Sequence, residues 1–228
     1  MADVLMVIAP DGFRDEEYFH VREELEKAKN KVMVASLKDV AVSSVEKKEV
    51  VVDLLIDEAD VADYDAMIIS GGPGASIYFE EEKILEMCYQ TIEQGKILGA
   101  ICIAPGILAR AGVLSGKKAT SFESEKSNLD EAGAITSDSH VVVDGQIITA
   151  DGPQASREFG KRIVEMLNGE VKKDHDNSKE ESKEYYPPES EGDKKEDSDD
   201  GFPENKPYYD EGKRQYEKRV TEDETGNV

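Results

Sequence analysis

The stretch Ile97-Leu98-Gly99-Ala100-Ile101-Cys102-Ile103-Ala104-Pro105-Gly106 decides how the chain is read. Its apolar start predicts a buried strand, and Ile107, Leu108 and Ala109 begin a helical pattern that ends at Gly112. Cys102 therefore falls on a strand-to-helix turn. A turn that sharp crowds the residues two before and two after its apex, here Ala100 and Ala104, both small enough to permit it. This is the geometry of a nucleophile elbow with cysteine in place of serine. The helix that follows aims unpaired N–H groups and its positive end at the sulfur, so a lowered thiol pKa and a thiolate are expected. The competing reading is a buried cysteine packed as a small hydrophobe. The elbow context favours the reactive thiol.

Working outward, Val4 to Ile8 is a continuous apolar run, as in a central parallel strand covered on both faces. Pro10-Asp11-Gly12 reads as a turn, and a helix is expected from about Arg14 to Ala28 with Asp15, Glu16 and Glu17 in its first turn. Its buried stripe is Val21, Leu25 and Ala28. One turn back from Val21 lies Glu17, so a carboxyl group occupies the N-terminal end of the core-facing stripe. Val32 to Ala35 predicts a second strand, and the Val-rich pieces at 40 to 45 and 50 to 56 a hairpin or edge strands. Ala66 to Ile69 is a further buried strand, leading into Ser70-Gly71-Gly72-Pro73-Gly74.

A helix from about Glu80 to Gln94 places Cys88 on one face with Ile84, Leu85 and Ile92, a structural position. Beyond the elbow helix come a short strand near Lys117 to Thr120 and a polar helix around Glu123 to Ala132. Val141-Val142-Val143, the Asp144-Gly145 turn signal and Ile147-Ile148-Thr149 read as a hairpin. Asp151-Gly152-Pro153 then opens a final amphipathic helix with Phe159, Ile163, Val164 and Leu167 that stops at Gly169. Strands alternating with helices predict an α/β fold: an open, doubly wound, mostly parallel sheet with helices on both faces, flavodoxin-like in outline.

Composition divides the 228 residues into one α/β domain over 1–169 and an acidic tail over 170–228. The tail holds nine residues of the apolar set, five of them tyrosines, and 20 acids against 11 bases. That composition cannot bury enough surface to offset its ordering entropy, so a disordered tail is expected, with no partner identified. The net charge of -23 falls on both parts and disfavours phosphate backbones and anionic membranes, so nucleic-acid and membrane partners are not expected. Two cysteines make no disulfide framework, Met1-Ala2-Asp3 puts no basic region ahead of the first apolar run, and no apolar run has the length of a membrane span. A reducing cytoplasm is the expected compartment.

In an open parallel sheet, ligands bind outside the carboxyl ends of the strands. Glu17, the Gly71-Gly72 turn and Cys102 all fall there. Backbone N–H groups in the glycine turn, with that of Ile103, are candidate oxyanion donors, although the turn alone is equally explained as a tight strand exit. Gly72 and Gly74 lack the third glycine of a dinucleotide fingerprint, and no phosphate loop is completed. His20, His140 and His175 show no metal-ligand spacing. Neither a metal nor a cofactor is expected.

With the elbow, the Gly-Gly turn and the Phe13-Arg14-Asp15-Glu16-Glu17 helix entry in place, residues 2 to 168 resemble the DJ-1/PfpI superfamily, of the class I glutamine amidotransferase-like fold. The resemblance implies Cys102 as nucleophile, Glu17 as its carboxyl partner, and Gly71, Gly72 and Ile103 as backbone donors. It also implies a homodimer. Two positions depart from the pattern: peptidase-like members carry histidine directly after the cysteine, where this chain has Ile103, and others carry it on the loop after the elbow helix, where this chain has Phe122. His20, one turn beyond Glu17, is a possible substitute, or a solvated helix residue. The leading expectation is a glutathione-independent glyoxalase or deglycase acting on small 2-oxoaldehydes in stress protection, because that chemistry needs a thiol and a carboxyl but no imidazole. The alternatives are an intracellular cysteine peptidase and a non-enzymatic redox sensor or stress-protective binding protein.

Overall fold

The computed structural model describes residues 1–170; the expected acidic tail lies outside them from residue 171 on. In chain order the elements are β1 (Asp3–Val7), β2 (Asp11–Phe13), α1 (Asp15–Lys27), β3 (Lys31–Ser36), β4 (Val40–Ser43), β5 (Glu49–Val51), β6 (Leu54–Leu55) and β7 (Ala66–Ile69). There follow α2 (Glu82–Glu93), β8 (Ile97–Ile101), α3 (Pro105–Arg110), β9 (Lys118–Ala119), α4 (Lys126–Glu131), β10 (Ile135–Thr136), β11 (Val141–Asp144), β12 (Ile147–Ala150) and α5 (Ser156–Leu167).

The central sheet has seven strands in the order β11-β12-β8-β7-β1-β3-β6. Every pairing is parallel except the β11–β12 hairpin. Parallel strands must be covered on both faces, which is why β1 and β7 are buried almost throughout. Strand alternation separates the two layers. Met67 of β7 meets Thr91 of α2, whereas its neighbour Ile68 points at the space a side chain on Gly99 would fill, beside Phe159 of α5. Thus α2 and α5 lie on opposite faces, and Gly99 is glycine because Ile68, Ile148 and Phe159 occupy its Cβ position.

Helix α1 shares the α5 layer. Gly160 of α5 sits against Val21 and Glu24 of α1, and Arg157 bridges to Glu23 and Glu24 at 2.9 and 2.8 Å. This seats Val21 and Leu25 in the core and with them, one turn earlier, Glu17. The entry of α1 is held from the other side by Asp15, which accepts hydrogen bonds from the N–H groups of Val45 and Glu46.

The hairpin expected between 40 and 56 exists as β4 and β5, with β6 joining the main sheet beside β3. Residues 11–13, which overlap the expected Pro10-Asp11-Gly12 turn, also pair with β4 to complete a separate three-stranded sheet. Three residues carry no usable period. The pairing follows from Gly12, whose φ of +79° turns the chain so that Pro10 and Phe13 carbonyls accept the Val42 and Ser44 N–H groups.

Candidate active site

At the end of β8 the chain turns at Cys102 with φ +65°, one of three non-glycine residues with positive φ among the described residues. Such a conformation costs about 1–2 kcal/mol and needs its surroundings to hold it. Two backbone hydrogen bonds do so: the Cys102 N–H donates to the Ala150 carbonyl at 2.9 Å, and the Phe122 N–H donates to the Cys102 carbonyl at 2.8 Å. Ala100 and Ala104 flank the turn fully buried. Cys102 itself is 8% exposed.

Gly71 explains how the carboxyl group reaches the thiol. A Cβ on Gly71 would stand 2.7 Å from the Cys102 Cβ, 2.7 Å from Glu17 Oε2 and 2.5 Å from the Ile101 carbonyl oxygen. Only the absence of a side chain lets Glu17 and Cys102 close over this residue. Gly72 adopts φ +94°, and the Gly71 carbonyl accepts the Arg14 N–H at 3.1 Å, fixing the turn against the entry of α1. The backbone N–H groups of Gly72 and Ile103 act on the sulfur, while that of Gly71 acts on the Glu17 carboxyl.

Substituting Gly71 by alanine should therefore wedge the pair apart. A loss of about 1–3 kcal/mol in stability, typical of overpacking, and a large drop in native iodoacetamide labelling of Cys102 are expected. Thermal melts and peptide mass spectrometry measure both, and unchanged labelling would contradict this reading of the contact.

Glu17 is fully buried, and neither carboxyl oxygen has a hydrogen bond of full geometry. Desolvation pushes its pKa up to about 7, against smaller opposing contributions from the Cys102 thiol and the Gly71 N–H. The thiol does not follow the expectation of a lowered pKa. Burial and the neighbouring Glu17 charge push Cys102 up to about 12, and the Gly72 and Ile103 N–H groups only partly offset them. Helix α3 has six residues, so its dipole is short against this desolvation. Two acids buried side by side cannot both ionise cheaply; the pair carries at most one negative charge at neutral pH.

The expected site residues Cys102, Glu17, Gly71, Gly72 and Ile103 thus converge. His20 lies half-buried on the next turn of α1, and no hydrogen bond among the described residues joins it to Cys102 or Glu17. Cys88 is fully buried on α2, its thiol likewise raised to about 12 by desolvation alone. Among the described residues no cluster of His, Cys, Asp and Glu is arranged to hold a metal, and no helix is long and apolar enough to cross a membrane.

One group escaped the sequence reading. Beside the elbow opens a surface cavity of about 370 Å³ lined by Phe122, Asp151, Gly152 and His140 among others. In it His140 Nδ1 lies 2.7 Å from Asp151 Oδ2. The signal was present: pairing Val141 with Ala150 across the expected hairpin sets His140 opposite Asp151.

The model of the DJ-1/PfpI family matches residues 2–166. The chain belongs to the DJ-1/PfpI family. An uncharacterized protein of Methanocaldococcus jannaschii is 38% identical over 169 residues, covering 73% of this chain and 82% of that one. A deglycase of Thermococcus kodakarensis is 31% identical over 163 residues, 72% of this chain and 98% of the relative. A glutathione-independent glyoxalase of Caenorhabditis elegans is 28% identical over 168 residues, 74% and 90% respectively. Among solved structures, the ThiJ/PfpI domain protein of Brachyspira murdochii superposes with a TM-score of 0.71 at 28% identity, covering 73% of this chain and 96% of that one. Within the DJ-1/PfpI family, then, this chain is similar to proteins named as deglycases and glyoxalases, and it carries Ile103 and Phe122 at the two positions where the resemblance implies an imidazole.

Proposed function

We propose that this protein converts small 2-oxoaldehydes such as methylglyoxal to 2-hydroxy acids without glutathione, with Cys102 as nucleophile and Glu17 as the proton carrier. The observation that carries the reading is the buried Glu17 carboxyl at the Cys102 thiol, with its pKa raised to about 7. A base of that strength is half-ionised near neutral pH, where general-base catalysis is most efficient. The relatives named as deglycase and glyoxalase support the same chemistry.

Cys102 and Glu17 carry the steps at sulfur and carbon. Ionised Glu17 takes the Cys102 proton as sulfur bonds to the aldehyde carbon, and the resulting alkoxide takes that proton back, leaving a hemithioacetal. Glu17 then removes the proton from the former aldehyde carbon, and an enediolate forms with its charge on the second oxygen. The first carbon's hydroxyl proton passes to the second oxygen, Glu17 returns its proton to the second carbon, and water hydrolyses the resulting thioester to the hydroxy acid and the free thiol. The N–H groups of Gly72 and Ile103 would hold the developing oxyanion. Peptide hydrolysis is less well served, because the leaving amine needs an acid that neither Ile103 nor Phe122 supplies.

Incubation of the protein with methylglyoxal and no added thiol, with lactate followed by proton NMR, tests the reading. Lactate formed faster than in a protein-free control supports it, and equal rates contradict it. Because attack waits on ionised Glu17, native iodoacetamide labelling of Cys102 should rise with pH through about 7, while Cys88 stays unlabelled. Equal labelling of the two cysteines would remove the distinction between them.

A further inference from the structure

We propose that His140, held by Asp151 in the cavity beside the elbow, is the acid–base group that acts on the substrate's second oxygen. This rests on the 2-oxoaldehyde reading above. It places the imidazole that the chain lacks at Ile103 and Phe122 on a different strand.

Register sets the placement. Ala150 pairs with Val141 of β11 on one side and with Ile101 of β8 on the other. The next residues along therefore form a row across three strands: His140, Asp151, Cys102. Hydrogen bonds continue the row beyond the strands, from the Asp151 N–H to the His140 carbonyl at 3.1 Å and from the Cys102 N–H to the Ala150 carbonyl. At strand spacing, the His140 and Cys102 backbones are about 10 Å apart. A cysteine side chain, a three-carbon substrate and an imidazole together span that gap. The aspartate stands between nucleophile and histidine, so this is not a thiol–imidazole–carboxylate relay; the imidazole serves the substrate, not the sulfur.

The cavity supplies the rest. Phe122, one of its lining residues, donates its N–H to the Cys102 carbonyl and packs beside Gly152. The charged groups around His140 are Asp151, Glu158, Glu123 and Asp138, with Lys126 held 3.0 Å from both Asp138 and Glu123. Asp151 first, and Glu158 more weakly, favour the imidazolium and raise the His140 pKa. The ring keeps its partner although its side chain is 75% exposed.

The step balances without a co-reactant. As Glu17 takes the proton from the first carbon of the hemithioacetal, the electron pair forms the carbon–carbon double bond and the ketone oxygen takes a proton from His140. Neutral His140 then removes the proton from the first carbon's hydroxyl, the carbonyl of the thioester forms, and Glu17 returns its proton to the second carbon. Both groups end as they began. Asp151 is a positioning residue in this scheme, fixing the ring and its charge.

His140→Gln should lower kcat for methylglyoxal roughly 100-fold. KM should change only a few-fold, and iodoacetamide labelling of Cys102 should stay at the parent rate. Asp151→Asn should cost less in kcat and move the alkaline limb of the pH–rate profile to lower pH, because the carboxylate that favours the cation is gone. A kcat for His140→Gln within twofold of the parent overturns the proposal. A second arm needs no turnover. Chloroacetone alkylates Cys102 with loss of chloride and leaves a ketone oxygen where the substrate's second oxygen would lie. His140, assigned by the resonance lost in His140→Gln, should then titrate with a displaced midpoint in the alkylated full-length protein. An unmoved midpoint overturns the placement. A parent that makes no lactate but shows the displaced midpoint would refute the functional reading and leave His140 at the thiol's substrate pocket.

Discussion

Replacing Cys102 by alanine is expected to reduce lactate formation from methylglyoxal by on the order of 10⁴-fold or more, to the protein-free rate. The proposed reaction has no route around the sulfur: its hemithioacetal, enediol and thioester would all hang from it, and the Gly72 and Ile103 N–H groups act at its position. The fold should survive. The substitution removes one small buried group beside Glu17 and leaves the backbone bonds to Ala150 and Phe122 intact. A melting temperature within a few degrees of the parent, alongside lost turnover, is the expected combination. Turnover that persisted in Cys102→Ala would move the chemistry elsewhere in the molecule.

Glu17→Gln should separate activity from stability in opposite directions. The folded-state pKa of about 7 lies above the ordinary value of 4.5, so the native protein keeps a proton that the unfolded chain has already released. The contribution of this group is therefore fully present below about 4.5 and is lost as pH rises through 7, a cost of roughly 3 kcal/mol on the alkaline side. Glutamine removes that cost. The variant should melt roughly 10 °C higher than the parent at pH 8 and close to it at pH 5. Turnover should fall by about 10²- to 10⁴-fold, since the amide cannot carry the proton. Parallel melts at the two pH values check the sign; a parent that gains stability between pH 5 and pH 8 through this group would contradict it.

Much of this was legible in the chain. The elbow announced itself because a strand, a cysteine and a helix needing small flanking residues leave a local signature. Glu17 was legible because a carboxyl group on an apolar stripe breaks the pattern it sits in. What was not legible depends on distances between segments. The role of Gly71 as the gap through which Glu17 meets Cys102 is steric and arises only when β7, β8 and α1 are packed together. The ionisation of Cys102 departs from the expectation for the same reason: the helix end is visible in sequence, but the depth of burial that outweighs it is not. Residues 11–13 form a strand through partners some thirty residues away rather than through their own pattern. His140 and Asp151 carry no spacing signal of their own; hairpin register is what joins them.

The central claim is that Cys102 holds the substrate while Glu17 moves its proton, and covalent capture tests it most directly. Parent, Cys102→Ala and Glu17→Gln proteins would be mixed with methylglyoxal, quenched in acid within the time of turnover, and mapped by peptide mass spectrometry. The account predicts one methylglyoxal-derived adduct on the peptide containing Cys102 in the parent, less of it in Glu17→Gln because the carboxylate that takes the thiol proton is gone, and none in Cys102→Ala. Lactate production by the parent with no adduct at Cys102, or with equal adduct in Cys102→Ala, would contradict it.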